Sequence, residues 1–292
     1  MFGQPLVSVI CLCFNHARFV EEAITSVLQQ TYQNIELIVV DDCSMDNSPE
    51  IIKEKLKEFP EIQFIKLKSN MGNCAAFNLA YRRSKGKYIV DLAADDVLMP
   101  ERVEFGVQSL EKSDGEYGVN FTNAEIISEC GKVIRNHYVV NEDGGAIEEV
   151  CDGDVFKEVL QRYYICPPTM MFKREVLDKL NGYDPHLTFE DFDFWVRSSR
   201  YFKYCYTDLI LVKKRKTTNS KSGKQYRLGS KDIHSIFLVL QKAKGLIRTH
   251  EEREVLVKRV IYEWKKAAQF LAIRTIGRYF RLLFRIYREK LV

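Results

Sequence analysis

Three groups of carboxylates are the residues here best able to do chemistry. Asp95 and Asp96 close the strand-like run Lys87–Ala94, and Asp41 and Asp42 close a second run, Ile35–Val40. Glu190, Asp191 and Asp193 stand among Phe189, Phe192, Phe194 and Trp195. Hard cations such as Mg²⁺ and Mn²⁺ take oxygen ligands, commonly one or two carboxylates plus substrate phosphates. The C-terminal end of a parallel strand is where open α/β sheets bind ligands. A lone Asp pair also serves as a turn or helix cap, so its meaning depends on what shares its edge. A carboxylate set among aromatics has a raised pKa, which suits proton abstraction. Glu190, Asp191 and Asp193 are equivalent candidates on this ground, and any of them could instead pair with Arg197.

The elements that must position these groups alternate. Val7–Cys13 is a buried-strand run, followed by Val20, Ala23, Ile24, Val27 and Leu28 at helical spacing. Ser48 and Pro49 supply N-cap and N1 chemistry to a helix carrying Ile52, Leu56 and Phe59. A third strand, Ile62–Leu67, a short helix through Phe77 and Tyr81, and the Tyr88 strand complete the first hundred residues. Such alternation predicts a parallel sheet covered on both faces. Beyond Pro100 the reading is mixed: helices at Glu101–Leu110 and Asp154–Tyr163, extended stretches at Gly118–Ile127, Thr169–Phe172 and Cys205–Val212. Lys213–Tyr226 reads as a mobile basic loop, and the chain is helical from Ser230 onward.

Composition excludes several classes. The 292 residues are 46% hydrophobic and 29% charged, ordinary for a soluble globular chain. Residues 251–292 hold eleven Lys/Arg and five Glu, so the net +4 leaves 4 − 6 = −2 on residues 1–250. The basic excess is local, which argues against nucleic-acid binding over the whole surface. Eight scattered cysteines without Cys-x-x-Cys, and five histidines (His16, His137, His186, His234, His250) without ligand spacing, exclude a zinc centre. The cysteines read as reduced thiols and the histidines as surface or capping residues. With no leader-like N-terminus and no spanning apolar run, the expected location is cytoplasmic.

Taken in order, these motifs resemble a glycosyltransferase of family 2, the GT-A fold. The resemblance rests on Val7–Ile10, Phe14-Asn15, Ser26–Tyr32, Glu36–Ser44, Asn70-Met71-Gly72, Asn78, Ser84–Ile89, Asp95-Asp96 to Pro100, Leu180–Asp184 and Glu190-Asp191. It spans residues 6 to about 212. It implies an α/β, Rossmann-like, mostly parallel mixed sheet of the nucleotide-diphospho-sugar transferase type, flanked by helices. The expected organisation is a catalytic domain at 1–228, with a nucleotide-binding half to about 100 and an acceptor half at 101–228, then a helical extension at 229–292. The resemblance places Phe14 against a nucleobase and lets Asp42, alone or with Asp41, accept a hydrogen bond from a pyrimidine ring nitrogen. Asn15, Asn70, Gly72 and Asp95 join the donor site. Asp95 and Asp96 would hold Mn²⁺ or Mg²⁺ on the diphosphate, and Asp191, beside Glu190, would be the base of an inverting transfer to a glycan or lipid-linked sugar. The donor would be UDP-linked, and the sugar a hexose or N-acetylhexosamine for bacterial-type polysaccharide or glycolipid synthesis.

This chain departs from the family pattern in four places. Leu12-Cys13 precedes Phe14-Asn15, Phe77 stands where Arg often precedes the Asn, and Ala93 stands where an acid is common. Lys213–Lys216 replaces an Arg-x-His element. A catalytically silent sugar-nucleotide-binding module therefore stands as an alternative. Separately, Phe14 fits a plain core role as well as a base contact, and Trp195 fits core packing as well as a wall of the acceptor pocket. Another is a membrane- or nucleic-acid-binding scaffold led by the tail. There Arg274, Arg278, Arg281, Arg285 and Arg288 make a basic stripe beside Ile273, Ile276, Phe280, Leu283 and Tyr287, widened by Tyr279, Leu282 and Ile286. That pattern, within 264–292, fits a helix on an anionic membrane, such as the inner face of the plasma membrane. It equally fits packing on the domain or on a second copy in a homodimer.

Overall fold

The computed structural model describes residues 3–218, 231–270 and 273–288, with side chains of the last helix described from residue 276. The expected loop residues from 219 to 226, and the side chains of Ile273 and Arg274, lie outside this description.

Four parallel strands build the first half: β1 (Val7–Cys13), β2 (Ile35–Asp41), β3 (Gln63–Lys66) and β4 (Tyr88–Ala93). Between and after them run α1 (Val20–Leu28), α2 (Ser48–Glu58), α3 (Asn73–Tyr81), the short β5 (Val97–Leu98) and α4 (Arg102–Lys112). The second half adds β6 (Tyr117–Ile127), β7 (Val133–Asn136), α5 (Phe156–Gln161), β8 (Met171–Lys173), α6 (Arg174–Leu180), α7 (Asp191–Ser198) and β9 (Lys203–Arg215). Three helices follow: α8 (Lys231–Lys244), α9 (His250–Gln269) and α10 (Ile273–Arg288). The strands form one sheet in the order β3-β2-β1-β4-β8-β6-β9-β5, with β7 paired to β6. β8 runs antiparallel to β4, so the sheet is mixed, as expected.

Alternation along β1 divides the core. Val7, Val9, Cys11 and Cys13 face the layer of α1, α2 and α4, whereas Ile10 and Leu12 face α3 and the second-half helices. That second layer also contains buried residues of α8, α9 and α10, so the C-terminal helices share a core with α5 and α7. Trp195 belongs to this core, fully buried with its indole N–H on Met170 Sδ at 3.1 Å.

The strand order is what positions the acids. Chain direction reverses its lateral progress at β1, with β2 and β3 on one side and β4 on the other, leaving a crevice beyond the C-terminal ends. The pairs Asp41–Asp42 and Asp95–Asp96 flank the exit of β1, roughly 10 Å apart if two strand spacings separate them.

A second junction brings the halves together. Asn181 and Gly182 both have positive φ, +57° and +78°, which turns the chain sharply at the end of α6. Tyr183 then exchanges two hydrogen bonds with buried Asn78 of α3: its N–H donates to Oδ1 at 2.9 Å and its carbonyl accepts from Nδ2 at 2.7 Å. A Cβ on Gly182 would lie 2.6 Å from Asn78 Oδ1. Gly182→Ala combines that clash with an unfavourable φ and should destabilise the protein by about 1–3 kcal/mol. Urea denaturation checks it, and an unchanged midpoint would show that the junction yields.

Candidate active site

One side of the crevice is built from loops after β1 and β2. Asn15 adopts φ +58°, and its side chain does structural work. Its Oδ1 accepts the Met45 N–H at 2.8 Å while its own N–H donates to Ser44 Oγ at 2.8 Å. Asp46 accepts the Ala17 N–H at 2.9 Å and Ser48 Oγ accepts that of His16 at 3.0 Å, so the two loops form one braced unit. This leaves the Phe14 ring 43% exposed at the strand end, unlike a core aromatic.

Asp42 holds the third loop. Its two carboxylate oxygens accept the Met71 N–H at 2.7 Å and the Gly72 N–H at 2.9 Å, while Asn70 Nδ2 reaches the Asp42 carbonyl at 3.2 Å. Gly72, at φ +81°, is the N-cap of α3, so the same carboxylate anchors the helix entry. Asp41 differs from its neighbour. It is fully buried, with Oδ2 on the Ser44 N–H at 3.2 Å and Oδ1 unpartnered in protein.

Asp95 and Asp96 sit across the crevice, where Arg215 locks them. β9 continues through Lys213–Arg215, correcting the expected start of a mobile loop there. The pairing of β5 with β9 at Val97–Lys213 carries Arg215 alongside the acidic pair. Its N–H donates to Asp96 Oδ1 at 2.8 Å and its Nε to the Asp95 carbonyl at 3.0 Å. Burial, and then the charge of Asp95, raise the Asp96 pKa well above the usual carboxylate range; Lys214 and Arg215 oppose this. His16 adds a nitrogen, its Nε2 lying 3.8 Å from Asp95 Oδ2. Among the described residues no group of three or more His, Cys, Asp or Glu side chains could hold a metal ion; Asp95 and Asp96 offer only the donor type, carboxylate oxygen, that Mn²⁺ and Mg²⁺ take. His16 is about a quarter exposed with its Nδ1 buried, and its carbonyl accepts the Phe19 and Val20 N–H groups, each at 2.9 Å, at the entry to α1.

The third acidic group resolves into three roles. Asp193 is 1% exposed and paired with Arg197 Nε at 2.7 Å and Lys242 Nζ at 2.7 Å, a structural ion pair. Glu190 accepts a hydrogen bond from Asn73 Nδ2 of α3. Asp191 opens α7 with Oδ1 on the Phe192 N–H at 2.7 Å. Its pKa is pushed up to about 6, chiefly by burial and then by the charge of Glu190, while Lys214 and Tyr163 partly offset the rise. Lys214 also acts on Asp96, so a single cation bridges the field between the two acidic sites.

Sequence reasoning missed Asp91. It points from β4 toward the same cluster and accepts the Tyr183 hydroxyl at 3.1 Å. Burial and then Glu190 raise its pKa well above normal. The signal was an acid inside an otherwise apolar strand. Tyr163, whose hydroxyl receives Lys214 Nζ at 3.1 Å, was also missed; nothing in its local sequence marks it.

A β1/β4 switch point with carboxylates on both sides is where an open α/β sheet binds a ligand. The chain belongs to glycosyl transferase family 2, whose family model matches residues 8–180. It is 27% identical over 267 residues to an uncharacterized glycosyltransferase of Methanocaldococcus jannaschii, covering 90% of this chain and 85% of that one. An uncharacterized glycosyltransferase of Rickettsia prowazekii is 31% identical over 222 residues, 74% and 67% of the two chains. Among solved structures, S. aureus TarS (residues 1–349) in complex with UDP-GlcNAc superposes with a TM-score of 0.65 at 16% identity, covering 91% of this chain and 73% of that one. The mannosyltransferase PcManGT from Pyrobaculum calidifontis, in complex with GDP-Man and Mn²⁺, gives 0.61 at 16% identity, covering 98% and 85%. At such identities the structural likeness speaks for the fold.

Proposed function

We propose that the chain is an inverting, metal-dependent glycosyltransferase that moves a hexose or N-acetylhexosamine from a UDP-linked donor to a hydroxyl of a glycan or lipid-linked sugar, in polysaccharide or glycolipid synthesis. The observation that supports this reading is that Asp42 and Asp95–Asp96 follow strands on either side of β1, while the Asn73–Glu190 hydrogen bond ties the Asp191 segment to the helix whose entry Asp42 anchors. The exposed Phe14 ring offers a stacking face for a base, and the Asp42 carboxylate accepts from a ring N–H. Asp95 and Asp96, with His16 at hand, would hold the divalent ion. When bound, the ion offsets negative charge on the departing diphosphate. Asp191, ionised, takes the proton of the acceptor hydroxyl. That oxygen forms its bond to the anomeric carbon while the bond to the diphosphate oxygen breaks, and the electron pair leaves with the nucleoside diphosphate. One displacement opposite the leaving group inverts the centre, by the geometric reasoning that separates inverting from retaining glycosidases.

Calorimetry with UDP and GDP, each with and without Mn²⁺, tests the donor assignment. UDP should bind more tightly than GDP and more tightly with the metal. Asp42→Asn should weaken UDP binding about tenfold, since an amide can keep only one of the two loop N–H bonds. Absence of nucleotide binding under every condition would sink the reading.

A further inference from the structure

The described part of α10 uses its surface in three arcs. Tyr279, Leu282 and Ile286 are buried, and Ile276 and Leu283 are partly buried against the core. The tail therefore packs on its own chain, through α8 and α9. This accounts for only part of the apolar stripe. Phe280, Phe284 and Tyr287, at 68%, 56% and 66% exposure, form a second line at i, i+4 and i+7. Arg278, Arg281, Arg285 and Arg288 are exposed on the adjoining arc, and Ile273–Arg288 contains no acidic residue. Arg288 stands over the Phe284 ring, 4.7 Å from its centre.

We infer that this outer face of α10 is a docking surface for an anionic lipid bilayer. The inference goes beyond the transferase reading and stands without it. A soluble helix that has already buried one face would ordinarily present mixed charge outward. This one presents three aromatic rings flanked by four guanidinium groups. That pairing suits the bilayer interface, where rings enter the headgroup–acyl boundary and Arg stems lie along it with their charges toward phosphate. Charge complementarity selects the occupant: a patch of four cations without an acid favours an anionic surface over a second copy bearing the same cations. Lys244, Arg285 and Arg288 surround the Phe284 ring on this surface. α8 supplies Lys244, and two residues earlier its Lys242 bonds Asp184 and Asp193 beside the third acidic group. The surface thus connects to the acceptor side through one helix. None of the described helices is long and apolar enough to cross a membrane, so the association is peripheral.

Co-sedimentation of the full chain with vesicles tests this. Vesicles of equal phosphatidylcholine and phosphatidylglycerol should bind roughly a hundredfold more tightly than phosphatidylcholine alone, and added salt should weaken that binding. Phe280→Ser with Phe284→Ser should lower affinity at least about tenfold at low salt. Arg281→Gln with Arg285→Gln should remove much of the dependence on anionic lipid and salt. Both double variants should keep the wild-type melting temperature, because the altered side chains are exposed; a variant that fails to fold leaves the Arg pair and the lipid comparison as independent readouts. Equal sedimentation with both vesicle types, or none with either, would overturn the inference. So would light scattering that shows a dimer abolished by these substitutions, or tighter binding to nucleic acid than to the anionic vesicles.

Discussion

Asp191→Asn should reduce sugar transfer by about 10²–10⁴-fold while leaving nucleotide binding in place. The amide keeps the shape of the carboxylate and its contact with the Phe192 N–H, but cannot accept a proton. The pH profile provides the second readout. The Asp191 pKa is pushed up to about 6, so wild-type activity should fall as pH drops through about 6, and the residual activity of the variant should lack that limb. Stability runs in the opposite sense. A carboxyl whose folded pKa exceeds its unfolded value binds its proton more tightly when folded. Its stabilising contribution is complete below the unfolded pKa and is lost as pH rises through about 6. At neutral pH the neutral amide should therefore match or exceed the wild type in melting temperature, which separates lost chemistry from lost fold. Glu190→Gln retains an acceptor for Asn73 and should have a smaller effect. Unchanged turnover of Asp191→Asn would remove it as the base.

The parallel half of the fold was legible because buried parallel strands write themselves as apolar runs, and each acidic pair follows such a run directly. Asp42 and Asp95–Asp96 could be found for the same reason. What stayed hidden depends on contacts between distant segments. Asp193 and Asp191 are two residues apart, yet Arg197 and Lys242 claim one and not the other, and Lys242 lies 49 residues further along. Asp91 looked like a blemish in a strand because its partner Tyr183 is 92 residues away. The approach of His16 to Asp95 was hidden because only the order of β1 and β4 brings the two together. In the tail, helical spacing revealed the amphipathic pattern, but tertiary packing alone divides its apolar residues into a buried line and an exposed one. The basic run Lys213–Lys216 suggested a loop by composition, whereas pairing with β5 and β6 makes its first three residues strand.

Arg215→Met should loosen the Asp95–Asp96 site and destabilise the fold together. The guanidinium is nearly inaccessible and donates to the carbonyls of Asp95, Ser128 and Glu129, at 3.0, 3.3 and 3.2 Å. It also meets Glu22 Oε2 at 2.5 Å and stacks over Phe19, 4.8 Å from the ring centre. Glu22 is half exposed and can turn to water, so that ion pair contributes little once removed. The Ser128 carbonyl keeps the Gly131 N–H at 3.0 Å, but those of Asp95 and Glu129 lose this donor, and an unsatisfied buried acceptor costs about 1–3 kcal/mol. A total loss of roughly 3 kcal/mol is expected, visible as a lower urea midpoint. The electrostatic effect is separate. Arg215 is one of two cations opposing the raised Asp96 pKa, and the Asp95 carbonyl loses its tether. Half-maximal UDP binding should then require at least about tenfold more Mn²⁺, equivalent to roughly 1.4 kcal/mol. Arg215→Lys distinguishes the two effects, since lysine restores charge without the planar five-donor fork. It should recover much of the metal dependence and little of the stability. If both variants kept wild-type stability and metal dependence, Arg215 would not be the residue that holds this acidic pair in place.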